Sequence, residues 1–517
     1  MKNAILYAFI VAMGGFIFGL DAALISGTVS YISQEFQLSD LELGMAVSAP
    51  GWGVLIALLL AGYVSNRYGR KKAIQIVAVL YLISAVGSAF ATSYWMLVSA
   101  RLLGGLAFTS LSLASMYIGE IAPPKLRGKL VSITQINIGI GLSGAYFINY
   151  YLVKSVNAGA AWTTQFGVDD NVWRWMLGSE ILPVIAWMFL VTLIPKSPSW
   201  LIYKGRKTEA KDVLRKVLPE SEIDAHISEM EESMRKSAED RSIKSQLSEL
   251  MSKPMRVTLI IAVTIAIAQQ ATGINAILFY APTVFEQLGM GTDGAFTQTL
   301  WIGLTGLVFT VAGLMLVDKL GRRPLIIYGM LWIVLSLGLC AFGFSQATYS
   351  LTVEDLTALN EIQNVNQLES MIGKVYDSDI AFKEQLTNAL GLEEARTHSS
   401  SLLQLAADMN GGLILFGILS FIAAFHFSVG PVMWVLFSEI FPISTRGIAI
   451  PGIAFVTSTV SVLVQNFFPW QLANMGGTSI FLFYAVAVLI GMLILAKYLV
   501  ETKNLSIEEI QNKLTGQ

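Results

Sequence analysis

The apolar residues of this chain are gathered into long runs, among them Val77–Ala91, Ile181–Ile194, Leu325–Ser345, Leu413–Phe425 and Ile480–Ala496. A helix crosses the hydrocarbon core of a bilayer with about 20 mostly apolar residues (roughly 17–25). Twelve stretches meet that condition, near 4–28, 41–65, 73–92, 95–122, 130–153, 173–194, 256–285, 296–317, 325–344, 411–437, 447–468 and 478–500. The pattern predicts an all-α membrane protein. Two polar stretches are too long to be turns between spans, 196–256 and 345–410.

Composition agrees. The chain has 517 residues, 54% hydrophobic and 14% charged, with a mean hydropathy of +0.61, whereas soluble domains run roughly 45–50% apolar and about 25% charged. A net charge of −2 offers no surface to nucleic acid. A single cysteine, Cys340, lies inside a span and excludes disulfides and cysteine-based metal sites. The histidines, His226, His398 and His426, have no metal-ligand spacing, so no metal is expected. The N-terminus runs directly into the first span and reads as a retained helix, not a cleaved signal.

Short loops set the orientation. One face carries Arg67, Arg70, Lys71, Lys72, Lys125, Arg127, Lys129, Lys319, Arg322, Arg323 and Arg446, and the short loops of the other carry only Lys154. Both termini are therefore expected in the cytosol.

Two loops of the first half recur in the second. GYVSNRYGRKK at Gly62–Lys72 is echoed by VDKLGRRP around Asp318, and EIAPPKLRG at Glu120–Gly128 by EIFPISTRG at Glu439–Gly447. The chain thus reads as two pseudo-symmetric six-helix bundles. Asn66 to Asp318 spans 252 positions and Glu120 to Glu439 spans 319, so an insertion of 67 residues must lie between the later members. The only polar stretch there is 345–410, on the external side, where Leu356, Leu359, Ile362 and Leu368, Ile372, Val375 recur at helical spacing. Short amphipathic helices are expected, forming a structural cap or, alternatively, serving substrate capture or partner binding, for which the sequence offers no chemistry. The expected organisation is 1–195 for the first bundle, 196–255 for a cytosolic linker with surface helices, 256–500 for the second bundle with its insert, and 501–517 for a cytosolic tail. In the linker, Val213, Leu214, Val217 and Ile227, Met230, Met234 fit helices lying beneath the bundle. Paired repeats around a central site are the architecture of alternating-access carriers.

Several segments, in order, carry a likeness. They are GGFIFGLDAALISGTV at Gly14–Val29, NRYGRK at Asn66–Lys71, RLLGG at Arg101–Gly105, YIGEIAPPKLRG at Tyr117–Gly128, QQATGINAILFYAP at Gln269–Pro282, DKLGRRP at Asp318–Pro324, GPVMWVLFSEIFP at Gly430–Pro442 and VETK at Val500–Lys503. By these the chain resembles the sugar porter family of the major facilitator superfamily, over nearly its whole length apart from 345–410. In motif detail it is most similar to bacterial xylose–proton symporters. The resemblance implies the major facilitator fold, a monosaccharide cargo and a bacterial inner membrane, with the carrier working as a monomer in the lipid bilayer.

A monosaccharide offers hydroxyls that both donate and accept, and an apolar C–H face. Amide side chains supply both kinds of atom, and an indole can stack on the C–H face. The resemblance implies that Gln135, Gln269, Gln270, Asn275 and Trp434 contact sugar, with Phe18 and Gly430 at further pocket positions. On a regular helix Gln269 and Gln270 diverge, so a shared pocket role for both is not required. Where the xylose symporters place a second glutamine, a pocket asparagine, a Gln-Trp pair and a tyrosine, this chain has Leu142, Gly306, Thr457-Ser458 and Phe279. The site is less amide-rich, and xylose itself does not follow.

Asp21, Arg101 and Glu180 lie inside spans of the first half. Counted inward from the outer ends at 1.5 Å per residue, their depths agree within roughly 5 Å. A charge at the bilayer centre costs about 2.5–3.5 kcal/mol even on permissive scales, so Asp21 and Arg101 are expected to pair. The pair is either a fixed structural one or a switch, in which separation from Arg101 favours protonation of Asp21. The resemblance favours the switch: sugar porters with aspartate here are typically proton-coupled, and Glu180 matches a carboxylate of the xylose symporters. The proton is then the coupling ion and no other cofactor is expected. Arg70, Glu120, Arg127, Asp318, Arg322, Arg323, Glu439 and Arg446 suggest a cytosolic gate pairing across the halves. Its corner at Pro195–Ser199, PKSPS in place of the family's PESPR, is rewired or absent. The competing readings are an uncoupled sugar facilitator and a non-transporting sugar sensor; an enzyme is disfavoured because no catalytic constellation or phosphate-binding glycine loop appears.

Overall fold

The computed structural model describes residues 2–123, 126–238, 243–357 and 365–515; the side chains of Asn66, Arg127, Met234 and Leu356 also lie outside the described set. Among the described residues, twelve helices are long and apolar enough to cross a membrane: Asn3–Gly27 (span 1), Asp40–Leu60 (span 2), Arg70–Ala89 (span 3), Tyr94–Ile121 (span 4), Gly128–Asn157 (span 5), Val172–Leu193 (span 6), Arg256–Glu286 (span 7), Thr292–Leu320 (span 8), Arg322–Ser345 (span 9), Gly411–Ile440 (span 10), Ser444–Asn474 (span 11) and Gly476–Tyr498 (span 12). Each coincides with a predicted stretch.

The repeat is visible in backbone and side chains. Gly69 (φ 82°, ψ 159°) joins helix Asp40–Tyr68 to span 3 and Gly321 (φ 91°, ψ 163°) joins span 8 to span 9, each in a conformation that a residue with a Cβ adopts only under strain. Arg70 Nε then bonds Glu120 Oε1 at 2.9 Å, and Arg322 Nε bonds Glu439 Oε1 at 3.0 Å. Ser197 Oγ donates to the second oxygen of Glu120, as Thr502 Oγ1 does to that of Glu439. Each half is thus clamped by an Arg–Glu–hydroxyl triad on the face that carries the basic loops. On that face the linker helices bury Leu214, Val217, Leu218, Ile223 and Ile227 against Ala4 of span 1, as their apolar spacing predicts.

On the opposite face the insert forms a small unit with its own core. Strand Thr348–Ser350 lies between Val375–Tyr376 and Ala407–Asp408 in an antiparallel sheet, packed on helices Asp379–Leu390 and Leu392–Ala406. Tyr349, Leu368, Met371, Phe382, Leu386, Leu402 and Leu403 fill its core. The sequence reading is corrected here. Leu368 lies in a short 3₁₀ turn (Val365–Met371), Ile372 makes a β-bridge and Val375 sits in a strand, because Gly373 (φ 70°) turns the chain before a helix can propagate. Leu359 and Ile362 lie outside the described residues. Lys383 Nζ anchors the unit on the Leu472 carbonyl at the end of span 11, at 3.2 Å.

Prolines inside spans shape the interior. A proline lacks an N–H, so the carbonyl four residues earlier loses its helical partner; inside a bilayer that carbonyl must be satisfied by protein. Pro50 frees Ala46, whose carbonyl accepts from Arg101 Nε at 3.2 Å. Pro282 frees Leu278, whose carbonyl accepts from the Tyr146 hydroxyl at 2.6 Å. Pro469 frees Gln465, whose carbonyl accepts from the Tyr280 hydroxyl at 3.1 Å.

The Tyr146 bond joins the two halves, as do Ser48 Oγ to Asn466 Oδ1 (3.2 Å) and Asn157 Nδ2 to Asp293 Oδ1 (2.7 Å). These contacts lie toward the insert face, where spans 2 and 11 also approach so closely that a Cβ on Gly44 would fall 1.9 Å from the Asn466 carbonyl oxygen. Replacing Tyr146 by phenylalanine strands the Leu278 carbonyl, a loss of about 1–3 kcal/mol. The expected outcome is a lower thermal unfolding midpoint of the detergent-solubilised protein; an unchanged midpoint would contradict the assignment.

Candidate functional site

Asp21, Arg101 and Glu180, from spans 1, 4 and 6, are 8%, 1% and 3% exposed, and the fold brings them together. Arg101 Nη1 stands 3.6 Å from Asp21 Oδ1, while its Nε is held by the proline-freed Ala46 carbonyl. A Cβ at Gly104, one turn beyond, would lie 2.6 Å from Ser84 Oγ, so the RLLGG glycine lets spans 3 and 4 approach closely beside Asp21. Glu180 occupies the break in span 6 between helices Val172–Gly178 and Ile181–Leu193. The break is local chemistry: Pro183 cannot donate to the Ser179 carbonyl. Asp21 and Arg101 both lie within electrostatic range of Glu180, and Glu180 Oε1 has no hydrogen-bond partner among the described residues. Two carboxylates share one guanidinium in a buried cluster. Such a cluster reaches charge balance when it holds one proton.

A chain of amides runs across spans 7 and 11. Span 7 is interrupted after Gln270, with Gly273 in the left-handed region (φ 78°). Its Cβ position would lie 2.8 Å from the Tyr484 ring, which leaves glycine as the residue that fits. At this break Gln270 Nε2 donates to Gln269 Oε1 at 2.7 Å, so the two glutamines converge. The divergence expected of a regular helix does not arise, because the helix ends there. Asn275 Nδ2 donates to Gln270 Oε1 (2.8 Å) and to Ser461 Oγ (2.7 Å), and Gln465 Nε2 donates to the same Ser461 Oγ (2.7 Å). Ser461 and Gln465 were not singled out from the sequence; two polar residues four apart on an apolar span were the available signal.

The remaining predicted pocket residues are dispersed around this chain. Phe18 packs edge-on to Phe108 at 5.0 Å, beside the 3₁₀ turn Ala107–Thr109 that interrupts span 4. Gln135 is exposed on span 5 and is not hydrogen-bonded to the amide chain. Span 10 breaks at Ser428 (φ −124°, ψ −100°), and a Cβ on Gly430 just after it would meet Phe425 Cε1 at 2.9 Å. Trp434 is 41% exposed, with Phe437 edge-on at 5.8 Å. Of the departures, Leu142 is buried and Thr457 donates to its own helix at Ile453.

Among the described residues, the gate candidates of the basic face pair within their own halves. Arg70 bonds Glu120, and Arg322 bonds both Asp318 (3.0 Å) and Glu439 (2.8 Å), each within its own half. Arg323 Nη2 donates to the Ala496 carbonyl and Arg446 to that of Phe441, both at 3.0 Å. Among the described residues the expected cross-half pairs are not formed in this state, in which the halves meet toward the insert face. The Arg127 side chain lies outside the described residues. The Pro195–Ser199 corner is rewired: Ser197 caps helix Pro198–Tyr203 and binds Glu120, and Lys196 faces Glu209 at 3.9 Å.

Among curated proteins, the chain is 30% identical to the D-xylose-proton symporter of Escherichia coli, covering 97% of this chain and 94% of that one. It is 29% identical to the arabinose-proton symporter of Bacillus subtilis (99% and 95%) and 27% identical to the glucose transporter GlcP of Staphylococcus epidermidis (99% and 97%). Among solved structures, the inward open conformation of the xylose transporter XylE from E. coli superposes with a TM-score of 0.72 at 28% identity, covering 98% of each chain. A further XylE structure, described as a major facilitator superfamily proton:xylose symporter bound to 6-bromo-6-deoxy-D-glucose, gives 0.68 at 29%, covering 99% of each chain. The two six-helix halves are the major facilitator fold. The profile of the family described as "Sugar (and other) transporter" matches residues 7–358 and 397–514, and the chain belongs to that family.

Proposed function

We propose that this protein imports a monosaccharide together with protons by alternating access. The observation that carries the reading is the juxtaposition of a buried two-carboxylate, one-guanidinium cluster in the first half with a hydrogen-bonded amide chain in the second. The amide chain suits a polyol, and its relatives include carriers named for arabinose, xylose and glucose. In this reading Gln135, Gln269, Gln270, Asn275 and Trp434 hold the sugar between the halves, with Phe18 and Gly430 shaping the wall. Arg101 also lies within electrostatic range of Tyr280 on span 7, the helix that carries Asn275. A change in the charge cluster can therefore be felt on the sugar side.

The basic face belongs to the cytosol by the distribution of Lys and Arg in its short loops. With contacts between the halves toward the insert face, the structure then corresponds to an inward-facing carrier of the plasma membrane. In the outward-facing state the basic-face residues Arg70, Glu120, Arg127, Asp318, Arg322, Arg323, Glu439 and Arg446 come together as the cytosolic gate. Exposed pairs of this kind contribute only about 0–1 kcal/mol each, which suits a gate that must open.

For the proton, separation of Arg101 from Asp21 leaves a buried carboxylate without its cation, and protonation removes the charge. Glu180, beside the pair, can pass the proton on.

Counterflow of a labelled monosaccharide panel in proteoliposomes, with and without an inward proton gradient, tests the whole reading. Transport of at least one monosaccharide, with accumulation only under the gradient, is expected. The Asp21→Asn variant should retain counterflow and lose gradient-driven accumulation; undiminished accumulation by that variant would remove the proton switch. Arg101→Leu should lose about 3–5 kcal/mol of stability by stranding buried charge, read as a fall in thermal midpoint well beyond that of Arg101→Lys.

A further inference from the structure

The repeat gives the two halves matching clamps on the basic face, Arg70–Glu120–Ser197 in the first and Arg322–Glu439–Thr502 in the second. On the insert face the halves differ. In the first half Arg174, at the start of span 6, reaches two other helices. It pairs with Glu35 on helix Val29–Glu35, which extends span 1, and donates to the carbonyl of Ala91 just past the end of span 3. Trp173 Nε1 donates to the other oxygen of Glu35 at 2.6 Å, and the Arg174 guanidinium stands 4.2 Å from the centre of the Trp173 ring. One arginine thus ties the outer ends of spans 1, 3 and 6.

The counterparts of these spans in the second half are 7, 9 and 12. Span 12 opens on Gly476 and Gly477, which offer no side chain for such a tie. The insert is placed to supply it. It leaves the chain at the end of span 9 and returns at the start of span 10. Between them, Asp379 Oδ1 lies 2.7 Å from where a Cβ on Gly476 would stand, and Lys383 Nζ donates to Asp379 Oδ2 and to the Leu472 carbonyl, both at 3.2 Å. At its other edge the insert meets the turn that follows span 7. Ala407 Cβ is 3.8 Å from a Cβ placed on Gly289, and Gln404 Nε2 is 3.2 Å from one placed on Gly291.

We propose that the insert is the outer clamp of the second half, doing with a folded unit what Glu35 and Arg174 do with an ion pair in the first. Rigid-body motion of one half against the other carries movement from face to face only where the helices of each half are tied together. The insert and the outer ends of spans 7, 9, 11 and 12 therefore travel as one body, and the insert is not a lid that moves over the sugar path. The assignment rests on the alternating-access reading above and identifies the parts that move.

The separation between Ala407 Cβ and a Cβ on Gly289 is usual for a disulfide, and Cys340, the single native cysteine, is buried. In Gly289→Cys/Ala407→Cys, the oxidised and the reduced protein should show equal counterflow, because the bond joins parts that already move together. Arrest on oxidation that reduction relieves would overturn the proposal, and so would failure of the pair to oxidise. Gly289 has a φ of 74°, and comparing the two redox states of one protein cancels any strain there. Gly291→Cys/Gln404→Cys carries the same test if the first variant does not fold. A short thiol cross-link between Asn157→Cys and Asp293→Cys, which joins the two halves, should arrest counterflow; transport that survives it would overturn the rocking motion on which the proposal rests.

Lys383→Ala cuts the tie at the turn between spans 11 and 12. It should lower both the thermal unfolding midpoint and the maximal counterflow rate, leave the KM for the sugar unchanged, and be rescued by Lys383→Arg. Arg174→Ala should have the same effect from the first half. A Lys383→Ala protein with wild-type midpoint and rate would overturn the clamp. Absence of counterflow by the wild type with any monosaccharide would instead overturn the transport reading, and the midpoints would still decide the clamp.

Discussion

The structure turns on one constraint, that a carbonyl freed by proline inside a bilayer must find a donor within the protein. Pro50, Pro282 and Pro469 each free a carbonyl whose donor is a side chain from another helix: Arg101 for Ala46, Tyr146 for Leu278, and Tyr280 for Gln465. The first of these bonds holds the guanidinium that faces Asp21. The second joins the two halves. The third ties span 7 to span 11 a turn from the shared serine. Bends that would weaken a soluble helix become the contacts that place the charge cluster, join the two halves and tie span 7 to span 11.

The charge cluster and the amide chain follow different physical rules. In the cluster, burial makes any uncompensated charge expensive, so the proposed proton switch depends on the position of Arg101. In the amide chain no charge is present, and its donors and acceptors are of the kind that hydroxyl groups can meet. Breaks in spans 1, 4, 7 and 10, at Ile25–Gly27, Ala107–Thr109, Gly273 and Ser428, recur at the first helix of each group of three. They place irregular backbone beside the interior, where irregular backbone in a membrane protein can be satisfied.

Much of this was legible in the sequence. Long apolar runs marked all twelve spans, because the bilayer imposes a length that composition alone satisfies. The repeated GR and E-I-x-P-x-x-x-R-G motifs located the halves, and their unequal offsets located the insert. The Asp21–Arg101 pair was legible from depth, since helical rise converts residue number to position. What was not legible depended on tertiary partners. Ser197 and Thr502 complete the two clamps from segments with no shared motif beyond a hydroxyl. Ser461 gains its importance only from Asn275 and Gln465 meeting at one oxygen. The fold of the insert escaped a periodicity argument because Gly373 turns a helical spacing into a strand. The cross-half gate was read from charge type, which does not say which of two conformations holds the pairs.

The central claim is that the buried cluster of Asp21, Arg101 and Glu180 couples proton movement to sugar movement. It is tested most directly by adding a transported sugar to lightly buffered proteoliposomes, with no imposed gradient, and following external pH. Coupled entry of protons with the sugar predicts a transient alkalinisation outside that scales with sugar flux. Sugar entry at the same rate with no change in external pH would contradict the account.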